Sequence, residues 1–157
     1  MTHMKNIVLL DLDGVLIITP PWRQGEFGDD NFSLFENSIV ENINEFFECV
    51  ETELWLISDR RKGYTLEQLN TFFKTRGITK ELTGLVSVYE SGITRLEEMN
   101  RFLKENEIKN FLIIDDDASL QNMAEEQKSF LVKTNSLIGF NKEKLNEAIN
   151  IINNWKK

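Results

Sequence analysis

Ile7-Val8-Leu9-Leu10-Asp11-Leu12-Asp13-Gly14-Val15-Leu16 constrains the fold more than any other stretch of this chain. Four apolar residues in a row, opening on a β-branched pair, read as a strand buried on both faces, the pattern of a central strand in a parallel sheet. Two carboxylates follow at its end. With the chain still extended, Asp11 and Asp13 project to the same side about 6–7 Å apart, and Gly14 permits a sharp backbone departure. Like charges gathered at a strand end are costly unless a proton or cation offsets them, so the spacing points to a bound divalent metal. Asp-x-Asp-Gly is equally good turn chemistry, and the choice between the two readings falls to the rest of the chain.

Downstream, Ile39, Val40, Ile43, Phe46, Phe47 and Val50 recur at helical spacing, with Ser33, Asn37 or Ser38 as caps. The intervening residues 19–35 carry Pro20-Pro21-Trp22 and the run Gly25 to Asp30, which break periodicity. They are too few for a cap domain with its own core, but enough for a flap over the strand ends. Trp22, Phe27, Phe32 and Phe35 either line that flap or pack it down. Glu53 to Ser58 reads as the second strand, Leu85 to Val88 as the third, Phe111 to Ile114 as the fourth and Phe130 to Val132 as the fifth. Thr65 with Gln68, and Thr94 with Glu97, form capping boxes for two intervening helices. A short helix bears Leu120, Met123 and Ala124, and a last one starts at Asn141 and carries Leu145, Ala148, Ile149, Ile152 and Trp155. This alternation predicts an α/β chain: a parallel sheet of about five strands with helices on both faces, one domain over 1–157, and no separate cap domain.

A chain of 157 residues is long enough for one core, and 18 basic against 26 acidic residues give a formal charge of −8. That balance argues against coating extended nucleic acid, while a local basic patch can still hold one phosphate end. The single cysteine, Cys49, falls in the apolar stripe of the first helix and reads as a small core residue; the single histidine is His3, which leaves histidine chemistry out. With no long apolar run, the chain is expected in the cytoplasm and not in a membrane.

Ligands of a parallel α/β sheet bind outside the carboxyl ends of its strands, and Asp11, Asp13, Ser58, Asp115 and Asp116 all fall at such ends. Together they supply what phosphoryl transfer needs. Asp11 is the candidate nucleophile, because a carboxylate can take up a phosphoryl group and split one displacement into two. Asp13 is the candidate acid and base, with a backbone carbonyl that can also ligate a metal. Hard oxygens from Asp11, Asp13, Asp115 and Asp116 suit Mg²⁺. Ser58 can donate to a phosphoryl oxygen. A charge-neutralising cation is expected near the start of the helix before the fourth strand, where Arg95 stands; Lys104 and Lys109 fall at the far end.

Asp11-x-Asp13, Ser58, Arg95 and Asp115-Asp116, in this order, resemble the four motifs of the haloacid dehalogenase (HAD) superfamily of aspartate-nucleophile phosphotransferases. The chain departs at Arg95, where that superfamily most often has lysine. Arginine brings a planar fork instead of a point charge. The run Gly92-x-Thr94-Arg95-x-x-Glu98-Met99, the ending Ile113-Ile114-Asp115-Asp116-Asp117, and Leu131-Val132-Lys133-Thr134-Asn135 followed by Gly139-Phe140 resemble a capless branch, the HAD domains of Swiss-army-knife RNA-repair proteins. Ser58 to Arg61 matches its Ser-x-x-Arg segment. The resemblance implies an Mg²⁺-dependent phosphatase for nucleotides or nucleic-acid ends, with Arg60 or Arg61 as substrate contacts; separately, an open mouth under residues 19–35 makes Trp22 and Phe27 candidate stacking partners for the substrate. Arg60 and Arg61 read equally well as a solvated turn. A metal-binding regulatory module with little catalysis, and a phosphatase of small metabolites, are the alternatives. A response-regulator receiver would need an acceptor aspartate after the third strand, where Val88-Tyr89 stand.

Overall fold

In a computed structural model, which describes residues 4–89 and 91–155, β1 (Lys5–Leu10) runs through the middle of the sheet. Ile7, Val8, Leu9 and Leu10 are buried, as four successive apolar residues on a two-faced strand require. β1 pairs in parallel with β2 (Glu53–Leu56) on one side and with β4 (Ile108–Asp115) on the other. The short β3 (Gly84–Leu85) extends the β2 edge, and β5 (Leu131–Lys133) the β4 edge. The order is β3-β2-β1-β4-β5. From β1 the chain moves outward through β2 and β3, then crosses back to β4 and β5. Such a reversal opens a crevice outside the strand ends, here between β1 and β4.

Alternate residues of the strands feed two cores. On one face Val8, Leu10, Leu54, Leu56, Leu112 and Ile114 meet α1 (Asn37–Cys49), α2 (Leu66–Thr75) and α5 (Lys142–Asn154). On the other, Ile7, Leu9, Ile57 and Ile113 meet Met99 and Phe102 of α3 (Arg95–Glu105), with Leu120 and Met123 from a 3-10 turn over Ala118–Asn122 and its exit. The minor helix α4 (Glu125–Lys128) buries none of its residues. The three-layer α/β architecture is the expected one, and both capping boxes and the Asn141 cap form.

Several local expectations are corrected: the helix expected to bear Leu120, Met123 and Ala124 is a 3-10 turn that ends at Asn122, and the second strand ends at Leu56, short of Ser58. The third strand stops at Leu85 instead of reaching Val88, because the carbonyls of Val86 and Ser87 accept from the Arg61 guanidinium and not from a strand. Helix α1 begins after Glu36, with no side-chain cap from Ser33, Asn37 or Ser38. Cys49 is exposed: it is the last residue of α1, where the helix runs off the core, and its thiol donates to the Glu45 carbonyl. His3 lies outside the described residues.

The segment between β1 and α1 has no helix and only two isolated bridges, Asp13 with Ile17 and Phe27 with Ser33. Arg76, just past α2, ties it down. Its guanidinium donates to both oxygens of Asp30 at 2.7 and 2.8 Å and to the carbonyls of Ser33 and Phe32, and it lies 5.2 Å from the centre of the Phe32 ring. The Arg76 hydrogen bonds hold the Asp30 carboxyl down at about 2. Phe32 and Phe35 are buried under the segment, whereas Trp22 and Phe27 face solvent. Among the described residues no helix is long and apolar enough to cross a membrane.

Candidate active site

The β1–β4 ladder continues one residue past β1, where the Asp11 amide donates to the Ile114 carbonyl at 3.0 Å. The backbone then coils on itself. Leu12 O accepts from the amides of Val15, Leu16 and Ile17, and Gly14, at φ 82°, donates to Ile17 O. A left-handed φ at this point is what glycine supplies without strain. From the end of β5, the Thr134 hydroxyl donates to Gly14 O at 2.8 Å and pins the coil. Because the chain is not extended beyond Asp11, the two carboxylates part company: Asp11 is buried, while the Asp13 side chain is 57% exposed.

Across the crevice, β4 delivers Asp115, fully buried, and then Asp116. One carboxylate oxygen each from Asp11, Asp115 and Asp116 lies within 4.8 Å of the others. Asp13 contributes no carboxylate to this group, since the coil has turned it outward. Burial, and then the Asp11 charge, push the Asp116 carboxyl up to about 6; the same two causes hold Asp115 well above the ordinary range, against the pull of Arg95. The cation at the cluster is Arg95, at the first turn of α3. It lies 2.5 Å from Asp115 and 3.5 Å from Asp11, with Asp59 at 3.6 Å and Glu98 at 3.4 Å. Burial alone would lower its proton affinity, but Asp115 and Asp11 outweigh burial and raise it. One guanidinium against three clustered carboxylates leaves negative charge uncompensated, and the donors are all hard oxygens. The set fits a divalent cation of the Mg²⁺ class.

Ser58 is fully buried beyond β2, one residue past the Ile57 amide that bonds Leu10 O, and its hydroxyl oxygen accepts from the Arg60 amide. The neighbouring arginines diverge along the 3-10 turn Asp59–Gly63. Arg60 points to the mouth and grips Asp13 with two hydrogen bonds, 2.7 and 2.9 Å. Arg61 turns inward with no exposed side-chain surface, its donors spent on backbone carbonyls and Glu98, so it is not available to substrate. Trp22 is not brought to the carboxylates either; it borders a separate groove with Pro20, Leu137 and Ile138. Sequence reasoning gave no role to Glu98, Asp59 or Thr134, although Glu98 and Thr134 fall within the runs that resemble the capless branch. Glu98 left a spatial signal as well, three residues after Arg95 on the same helix face.

The family of HAD domains in Swiss Army Knife RNA repair proteins matches residues 7–145, which takes in every side chain of the cluster. The chain belongs to this family. Among curated proteins none matches it significantly. The family places this HAD domain in a hydrolase superfamily of phosphoryl-transfer chemistry. A polar cavity of about 310 Å³ adjoins its cation, lined by Asp59, Lys62, Thr94, Arg95, Asp117 and Ser119. A cavity of about 720 Å³ between residues 17–37 and the end of α2 contains none of the clustered carboxylates.

Gly14 is the contact point between the coil and the acidic pair. A Cβ there would sit 2.0 Å from Asp116 Oδ2 and 2.5 Å from its Cγ. Gly14→Ala is therefore expected to displace Asp116 and to strain the backbone by about 1–3 kcal/mol. Thermal melts with and without Mg²⁺ check it: the variant should melt lower and gain less from the ion than the parent does.

Proposed function

We propose that this HAD domain is an Mg²⁺-dependent phosphatase that works through a phosphorylated Asp11 and acts on nucleotides or nucleic-acid ends. The observation that carries this reading is the buried Asp11 carboxylate, at the switch point of the sheet, facing an acidic pair across one arginine.

Mg²⁺ would be held by Asp11, Asp115 and Asp116, with the backbone carbonyl of Asp13 as a further oxygen, and would supply charge neutralisation for the phosphoryl group. The chain's own groups do the rest. A carboxylate oxygen of Asp11 attacks phosphorus as the bond to the leaving oxygen breaks, and Asp13 gives that oxygen a proton. Asp13, now a carboxylate, takes a proton from water, whose oxygen attacks the Asp11 phosphate and releases inorganic phosphate, restoring Asp11. Arg95 neutralises the equatorial oxygens, and Ser58 donates to one of them. Arg60, already at Asp13, meets the part of the substrate that projects from the mouth.

The preference for a bulky substrate rests on access. Among the described residues no separate domain covers Asp13, so bulk water must be excluded partly by the substrate itself, because electrostatic stabilisation weakens where water enters. A terminally phosphorylated oligonucleotide should then have a higher kcat/KM than its mononucleotide, and both a higher value than a hexose phosphate. With a net charge of −8 opposing long-range attraction, the advantage should come from contacts at the mouth and survive moderate salt. Measuring kcat/KM for the three substrates at two salt concentrations tests this. A preference for the hexose phosphate would point to small metabolites, and no turnover of any of them to a binding module.

A further inference from the structure

Arg61 and Glu98 lie outside the chemistry assigned above, yet together they are the most heavily bonded charged pair next to it. The Arg61 guanidinium has no exposed surface and donates to Val86 O at 2.7 Å, Ile57 O at 2.8 Å, Ser58 O at 2.9 Å and Ser87 O at 3.2 Å. It thereby clamps the ends of β2 and β3. A buried guanidinium bound to carbonyls alone would still lack a counter-charge. Glu98 provides it, with Oε2 2.5 Å from Arg61 Nη2. The other oxygen of the same carboxylate, Oε1, stands 3.4 Å from Arg95 Nε. Glu98 thus bridges two guanidinium groups, one fixed to the sheet and one facing Asp11 and Asp115.

We propose that Arg61 and Glu98 are positioning residues: Arg61 fixes Glu98, and Glu98 sets the rotation of the Arg95 fork so that its Nη1 lies against Asp115 and Asp11. The proposal rests on the reading of Arg95 as the phosphate-neutralising cation. It also accounts for an arginine at this place. A guanidinium can meet Glu98 through Nε and the two aspartates through Nη1 in one rigid plane, whereas a lysine ammonium is a single point that can serve only one end. The Arg61–Glu98 clamp is therefore matched to a fork.

A clamp that merely held α3 to the sheet would affect catalysis equally whatever residue stood at position 95. A double-mutant cycle separates the two roles. In the parent, Glu98→Gln should lower kcat roughly tenfold, with KM changed far less, as a misplaced charge-stabilising group does. In an Arg95→Lys background the same substitution should cost less than about twofold, since no fork remains to be set. Equal losses in both backgrounds would overturn the proposal. A second arm does not depend on turnover. The Arg95 Nε–H signal in a ¹⁵N-labelled sample, assigned by its disappearance in Arg95→Lys, should shift or broaden in Glu98→Gln; an unchanged signal would also overturn it. If the parent hydrolyses no phosphate ester, the proposed function fails, and this arm still decides the positioning. Should Glu98→Gln not fold, Glu98→Asp takes its place, since it keeps a charge near Arg61 while shortening the reach to Arg95.

Discussion

Asp11→Asn is expected to remove turnover, by a factor on the order of 10⁴ or more, while leaving the protein folded and no less stable. The two halves of this expectation have separate causes. An amide cannot take up the phosphoryl group as the carboxylate does, so the chemical step has no substitute nucleophile. Stability moves the other way: Asp11 raises the proton affinity of both Asp115 and Asp116 and so contributes repulsion to the ion-free fold, and the longer 3.5 Å pairing with Arg95 that it gives up still leaves that cation its 2.5 Å partner Asp115. Taking that charge away should hold the ion-free Tm or raise it. Asp115→Asn makes the contrast. Asp115 accepts the Asp117 amide and carries the 2.5 Å pairing with buried Arg95, so its loss leaves a buried cation short of its partner and should lower Tm. Melting curves for the two variants beside initial rates with p-nitrophenyl phosphate give the comparison. More than a trace of activity in Asp11→Asn would remove Asp11 as nucleophile, and a marked fall in its ion-free Tm would contradict the repulsion argument.

The sheet and its site were legible to different depths. An unbroken apolar run ending in carboxylates identifies a buried parallel strand with its functional end, and capping boxes mark helix starts, because both signals are local and repeat the geometry they produce. What a side chain does across the fold is not local. Arg60 and Arg61 are indistinguishable neighbours in a charged run, and only the 3-10 turn sends one to Asp13 and the other under Glu98. The short third strand has the same origin, since carbonyls claimed by Arg61 cannot be foreseen from Val86-Ser87-Val88. Asp11 and Asp13 share a side only while the chain stays extended; the coil held by Leu12 O and Thr134 parts them, and Thr134 comes from the far end of the sequence. Arg76 gave no pattern at all, being one arginine beside the glycine that follows α2, yet it anchors the segment next to the site through Asp30.

Removing Mg²⁺ should abolish activity, and the ion's effect on stability should depend on pH in a direction fixed by Asp116. In the ion-free protein the folded state holds the Asp116 proton up to about 6, whereas the unfolded chain releases it near 3.8, as an ordinary aspartate does. Over that interval the folded state binds more protons than the unfolded one, so stability is greatest below about pH 4 as far as this group is concerned and declines as the pH rises through 6. Asp115 acts in the same sense. A cation reverses the balance by binding the charged carboxylates, so its stabilisation should be small at pH 5, where protons compete for the same oxygens, and full at pH 7.5. At an ion concentration 100 times its Kd the gain is about 2.7 kcal/mol, or about 5–10 °C in Tm for a chain of this size. Thermal melts at the two pH values, with EDTA or with saturating Mg²⁺, measure it directly. A shift of equal size at pH 5 and 7.5 would mean that the ion binds elsewhere, and no shift at either pH would take Mg²⁺ away from the Asp11, Asp115 and Asp116 cluster.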